Sequence, residues 1–151
     1  MGTAPSQYVI FRCGAERYAI ELARVLQVVE EREHELEPVP SAPGPCLGVF
    51  SYYGRLIAVF DSLPLLGGSQ SGTPDLEGES KGFPVWLVMR SEEYSVALRV
   101  DGVESIVEIG DGWNRPEEAQ DGLVDALWQD RGTVVNRIDP QGLLHRMDCL
   151  F

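Results

Sequence analysis

Val9-Ile10-Phe11-Arg12, followed by Ile20-x-Leu22-x-x-Val25-x-x-Val28-Val29-Glu30, occurs twice in this chain. The second copy reads Leu87-Val88-Met89-Arg90 and then Leu98-x-Val100-x-x-Val103-x-x-Ile106-Val107-Glu108, displaced by 78 residues (132 − 54, from Gly132 and Gly54). The offset holds without a gap further along: Val49-Phe50 falls on Leu127-Trp128, Ile57 on Val135, Asp61 on Asp139, and Leu65-Leu66 on Leu143-Leu144. The matches are apolar positions and turn glycines, as a shared backbone requires. Self-similarity at a fixed period marks a duplicated structural unit. The repeats run from about 8 to 66 and from about 84 to 144, with residues 67–83 between them. Two similar small units suggest a scaffold with surfaces between them more than one catalytic cleft.

Within each unit the apolar residues alternate over short runs bounded by glycine, proline and acidic residues, which is a strand pattern. Strands are expected at Tyr8 to Arg12, Tyr18 to Leu22, Val25 to Glu30, Cys46 to Phe50 and Arg55 to Phe60. The second unit repeats them at Val85 to Arg90, Tyr94 to Val100, Val103 to Ile109, Leu123 to Gln129 and Thr133 to Ile138. One helical turn is expected over Glu21 to Arg24. The charged run Glu30 to Glu37 reads as a solvated loop. Pro38, Pro40, Pro43 and Pro45 forbid regular structure after it. Gly67 to Gly82 reads as a flexible connection, and Gly110 to Gly122 as an acidic loop. Leu143, Leu144, Met147 and Leu150 have helical spacing, so Pro140 to Leu150 reads as a C-terminal helix with Asp139 as its N-cap. The matched Asp61 is then also structural. About five strands per repeat let each unit curl into a small barrel that removes its own edges. The fold class is all-β in the main: two tandem five-stranded barrels with a short C-terminal helix, forming a single domain over residues 1–151.

Bulk properties narrow the function. The 151 residues are 44% hydrophobic, enough for a packed interior. A formal charge of −12 argues against nucleic acid and anionic lipid, which call for basic patches. There is no run of membrane-spanning length, and Met1 to Pro5 lacks the apolar stretch of a signal peptide. Cys13, Cys46 and Cys149 are few and widely spaced, which fits free thiols in a reducing cytoplasm.

The search for chemistry returns little. His34 stands in Glu33-His34-Glu35 with no second ligand at metal spacing, so it reads as a surface histidine. His145 falls on the polar side of the terminal helix. Cys13 and Cys46 read as small apolar groups in strands. Asp61 and Asp139 could be paired carboxylates for acid–base work, but the cap reading is the stronger. No phosphate loop or nucleophile elbow is present. No catalytic, cofactor-binding or metal-binding residue is assigned and no cofactor is expected, which points to a binding module. The opposing reading is a small acidic enzyme using Asp61 or His34.

The order of segments resembles the CheW-like family, the coupling scaffolds of bacterial chemosensory arrays. The residues that carry it are Tyr8 to Leu22, Arg24-Val25, Val28-Val29, Pro38-Val39-Pro40-x-x-Pro43, Gly48-Val49-Phe50, Gly54 to Asp61, and Val100-Asp101-Gly102-Val103-Glu104. The resemblance implies two five-stranded SH3-like β-barrels of the CheW type packed about a shared core. It implies a non-catalytic adaptor, cytoplasmic and recruited to receptor clusters. The implied partners are the cytoplasmic tip of a methyl-accepting chemoreceptor, the regulatory domain of a CheA-type histidine kinase, and other CheW-like proteins. No nucleic acid and no membrane insertion are implied. Leu22, Val25, Gln27 and Val28 fall on the family's receptor groove, where a receptor helical hairpin would lay an apolar stripe. Gly48, Ser51, Tyr52, Tyr53 and Gly54 are candidates for the partner interface.

The chain also departs from the family pattern. Members commonly carry Asn-Leu-Arg-Gly where this chain has Ser51-Tyr52-Tyr53-Gly54, and often an acid where it has Gln27. In the family those two positions can form an ion pair, and here both charges are absent together. Such a pair specifies orientation more than stability, so its loss suggests altered partner choice. The alternative is therefore a divergent accessory adaptor that binds receptor or another adaptor but not the kinase.

Overall fold

The computed structural model describes residues 6–40, 44–66, 83–90, 95–110, 112–114, 123–130 and 132–148. The expected connection at 67–82, most of the acidic loop after Gly110, and Cys149 lie outside them. The first repeat holds β1 (Ser6–Cys13), β2 (Glu16–Glu21), β3 (Val25–Glu30), β4 (Cys46–Tyr52), β5 (Arg55–Asp61) and a short helix α1 (Ser62–Leu65). The second holds β6 (Val85–Arg90), β7 (Ser95–Val100), β8 (Gly102–Ile109), β9 (Val124–Asp130), β10 (Thr133–Ile138) and the longer helix α2 (Pro140–Asp148). The order matches at the 78-residue offset, and the fold is mainly β with a short C-terminal helix, as the repeat predicts. Leu22–Arg24 forms the expected helical turn, as a 3-10 helix.

The strands make two five-stranded sheets, but neither sheet belongs to one repeat. One runs β8-β1-β2-β10-β9 and the other β3-β6-β7-β5-β4. The first hairpin of each repeat therefore sits in the sheet completed by the last three strands of the other. This corrects the expectation that each repeat curls by itself. The exchange obeys the repeat: Tyr8 pairs with Val107 as Trp86 pairs with Val29, and Tyr18 with Asn136 as Val96 with Ala58. The sheets are SH3-like and are not closed by a ladder between their end strands.

Packing explains why β1 and β6 read as nearly unbroken apolar runs: both faces are covered. Val9, Phe11 and Cys13 of β1 join Val85, Leu87 and Met89 of β6 in one central cluster that also takes Leu65 of α1 and Leu143, Leu144 and Met147 of α2. The alternate residues turn inward to each sheet's own hollow. Tyr8 and Ile10 pack with Val135 and Trp128, and Trp86 and Val88 pack with Val29, Phe50 and Ile57. Cys13 Sγ accepts a hydrogen bond from Ser62 Oγ at 3.0 Å. Burial pushes the thiol up to about 11 against that bond, with the charges of Asp101 and Asp61 adding to the rise, so Cys13 stays a neutral apolar group at neutral pH.

Both aspartate caps are present. Asp139 accepts from the Gln141 backbone N–H at 3.1 Å and Asp61 from that of Leu63 at 3.4 Å, which gives the matched acids structural roles.

Candidate functional site

β3 and β4 are the end strands of their sheet, and the hollow between them is where the candidate residues gather. A cleft of about 400 Å³ is lined by Gln27, Val28, Glu30, Glu33, Ser51, Tyr52 and Tyr53, together with Val29 and His34. The groove candidates Gln27 and Val28 thus meet the turn candidates Ser51, Tyr52 and Tyr53 in one place, although the sequence separates them by more than twenty residues. A second hollow of about 220 Å³ adjoins it, sharing His34 and Ser51 and reaching Val49 and Leu56.

The other candidates lie elsewhere. Leu22 and Val25 are half-buried against the central cluster. Gly48 is buried with φ +146, and a Cβ there would stand 2.6 Å from the Glu37 carbonyl oxygen. Its lack of a side chain lets Glu37 exchange backbone hydrogen bonds with Val49 at 2.8 and 2.9 Å. Gly54 carries a positive φ of 80 at the hairpin tip. Leu26, 52% exposed and more open than Val28 at 41%, was not among the candidates. A bulge between Val25 and Gln27 shifts the pairing with β6 and breaks the alternation that sequence reading relies on.

The cleft has a wall tied to the sheet. The run Glu30 to Glu37 was expected to be solvated, yet Glu31–Glu33 form a 3-10 turn held to the sheet. Glu31 Oε1 accepts from Arg99 Nε at 2.6 Å and from Trp86 Nε1 at 3.1 Å, and Arg99 Nη2 reaches its other oxygen at 3.4 Å. The Glu31 backbone N–H donates to Pro84 O at 3.2 Å. His34 is half-buried, edge-on to Phe50 with centroids 5.3 Å apart and 5.9 Å from Trp86, which corrects its reading as a surface residue. Sequence gave no sign of this, because its partners lie on β4 and β6.

Partial burial by itself would raise the Glu31 carboxyl, but the bonds from Arg99 and Trp86 and the Arg99 charge outweigh it and hold the group below the ordinary glutamate range. Its stabilisation is complete above the unfolded value of about 4.3 and is lost as pH falls through the lower folded value. Glu31→Gln is therefore expected to lower stability most above about pH 5 and progressively less in acid. Urea denaturation of both proteins across that range checks it; an equal loss at every pH would contradict the role of the charge.

Among the described residues no group of His, Cys, Asp and Glu is placed to hold a metal ion, and no helix is long and apolar enough to cross a membrane. Two interlocked SH3-like sheets with an open cleft at one sheet's edges define the fold class. The comparisons agree with that class. The model of the CheW-like domain family matches residues 7–148, and the chain belongs to that family of scaffold and adaptor proteins. Among solved structures, the scaffolding protein TtCheW from Thermoanaerobacter tengcongensis is similar at a TM-score of 0.74, with 19% identity and 89% of each chain covered. At that identity the likeness carries the fold. A comparison with curated proteins finds no match.

Proposed function

We propose that this protein is a non-catalytic scaffold that couples a chemoreceptor tip to a CheA-type histidine kinase, in the cytoplasm at receptor clusters. Family membership supports the scaffold class, and one observation supports the docking site. Strand β3 lies at a sheet edge and leaves Leu26 and Val28 open to solvent, beside a turn that exposes Tyr53 at 90%. An uncovered apolar edge is a liability that folded proteins usually blunt. Covering it with the apolar stripe of a receptor helix removes that liability and supplies affinity.

Val28 is the informative position, because Val25 also packs into the central cluster and its substitution would disturb the fold. Val28→Glu is expected to weaken binding of a chemoreceptor tip fragment at least about tenfold, with an unchanged unfolding midpoint, since an unpaired charge would be buried in the contact. Calorimetric titration measures it, and wild-type affinity would remove the site from the edge of β3. Gln27 and Tyr53 line the same cleft without charge. Kinase binding therefore calls for its own titration. A chain that takes the receptor and not the kinase would be the accessory adaptor.

A further inference from the structure

The tip joining β4 to β5 is built against local preference. Tyr53 has φ +48 and Gly54 φ +80, the signs of a type I′ turn, whose first central position ordinarily takes Asn, Asp or Gly. Tyr53 is the single non-glycine residue of positive φ among the described residues, and a bulky side chain is strained there. Its ring meets Tyr52 edge-on at 4.5 Å but is 90% exposed, so burial within the chain does not offset the strain. A strained residue holding an aromatic ring in solvent over a cleft points to a partner outside the chain.

The charges around the cleft specify the partner's chemistry. Its lining includes Glu30 and Glu33 and no lysine or arginine. Two cations adjoin the cleft without lining it: Arg32 stands over the Phe83 ring at 4.3 Å and reaches Glu30 at 3.3 Å, and Arg55 is the cross-strand partner of Tyr52 in the hairpin. Glu33 makes no ion pair among the described residues. His34, the other titratable group of the lining, packs on Phe50. An exposed aromatic face beside carboxylates fits a guanidinium, which stacks on the ring while donating to the acids.

We propose that this cleft receives an arginine side chain of the docked partner helix, stacked on Tyr53 and held by Glu33 and Glu30, while the partner's apolar stripe covers Val28. The identity of that helix rests on the coupling reading above; the chemistry of the cleft does not. Strain at Tyr53 is retained because the ring serves binding.

The test is a titration of the full chain with N-acetyl-arginine methylamide, followed by NMR, against the citrulline analogue of the same shape without the charge. The arginine compound is expected to give saturable shifts confined to Gln27, Glu30, Glu33, Tyr52 and Tyr53, with a dissociation constant on the order of 10 mM as such exposed contacts allow. The citrulline compound is expected to give none. Glu33→Gln is expected to weaken the arginine response at least about threefold. Tyr53→Asn relieves the strained φ and is expected to raise the melting temperature while abolishing the response. Equal responses to both compounds, or a lowered melting temperature in Tyr53→Asn, would overturn the proposal. A receptor fragment that fails to bind would count against the coupling reading and leave these results standing.

Discussion

Residues 1–66 produced alone are expected to show no cooperative unfolding transition, and mixing them with residues 83–151 is expected to restore one. The reason is the strand exchange. Of the eight ladders, four join the repeats: β1 to β8, β2 to β10, β3 to β6 and β5 to β7. The first fragment retains only the hairpins β1–β2 and β4–β5, and an isolated two-stranded hairpin is marginal in water. It also loses what covers β1, since Val9 and Phe11 belong to a central cluster whose other members include residues of β6, β7 and α2 from the other fragment. Far-UV circular dichroism during urea titration of each fragment and of the mixture reads the outcome. A cooperative transition in the first fragment alone would show that the repeats fold separately and would contradict the observed topology.

Trp86→Ala is expected to cost about 3–5 kcal/mol, a large part of the roughly 5–15 kcal/mol that stabilises a small domain. Trp86 is fully buried, with its ring 4.7 Å from that of Phe50. Its truncation leaves a cavity in the inner cluster and removes a donor from Glu31. The two effects separate in Trp86→Phe, which keeps most of the ring contact and forfeits the N–H, at a cost nearer 1–2 kcal/mol. Urea midpoints measure both. A loss below about 1 kcal/mol in the alanine variant would contradict the placement of Trp86 in the core. The same variant is expected to loosen the cleft wall, because Glu31 and His34 both rest on this ring.

The strands were legible because each has an alternating or doubly buried pattern ended by a turn residue. Val25–Glu30, Val85–Arg90 and Thr133–Ile138 lie where that pattern puts them. Their partners were not legible. Alternation states which face is buried, but two similar repeats offer β1 a chemically equivalent neighbour within its own half and in the other. The unbroken runs Val9 to Phe11 and Leu87 to Met89 carried the one available hint, since a strand covered on both faces lies inside a larger assembly of sheets.

The site was legible in pieces. Tyr52 and Tyr53 stood out because they replace a family pattern, and Val28 because it falls on the segment that resembles the family's receptor groove; that they share a cleft follows from the placing of β3 and β4 at the ends of one sheet. Leu26 was missed because of the bulge beside it. His34 and Glu31 were misjudged because a run of acids looks solvated when the cation and rings that bind it, Arg99, Trp86 and Phe50, lie far along the chain.

The central claim is coupling, and it is tested most directly by a three-component sedimentation experiment. The receptor tip fragment, the kinase regulatory domain and this protein are run alone, in pairs and together. The account predicts that the kinase domain sediments with the receptor fragment only when this protein is present, and that Val28→Glu abolishes the co-sedimentation. A wild-type protein that leaves receptor and kinase in separate boundaries at saturating concentration would contradict it.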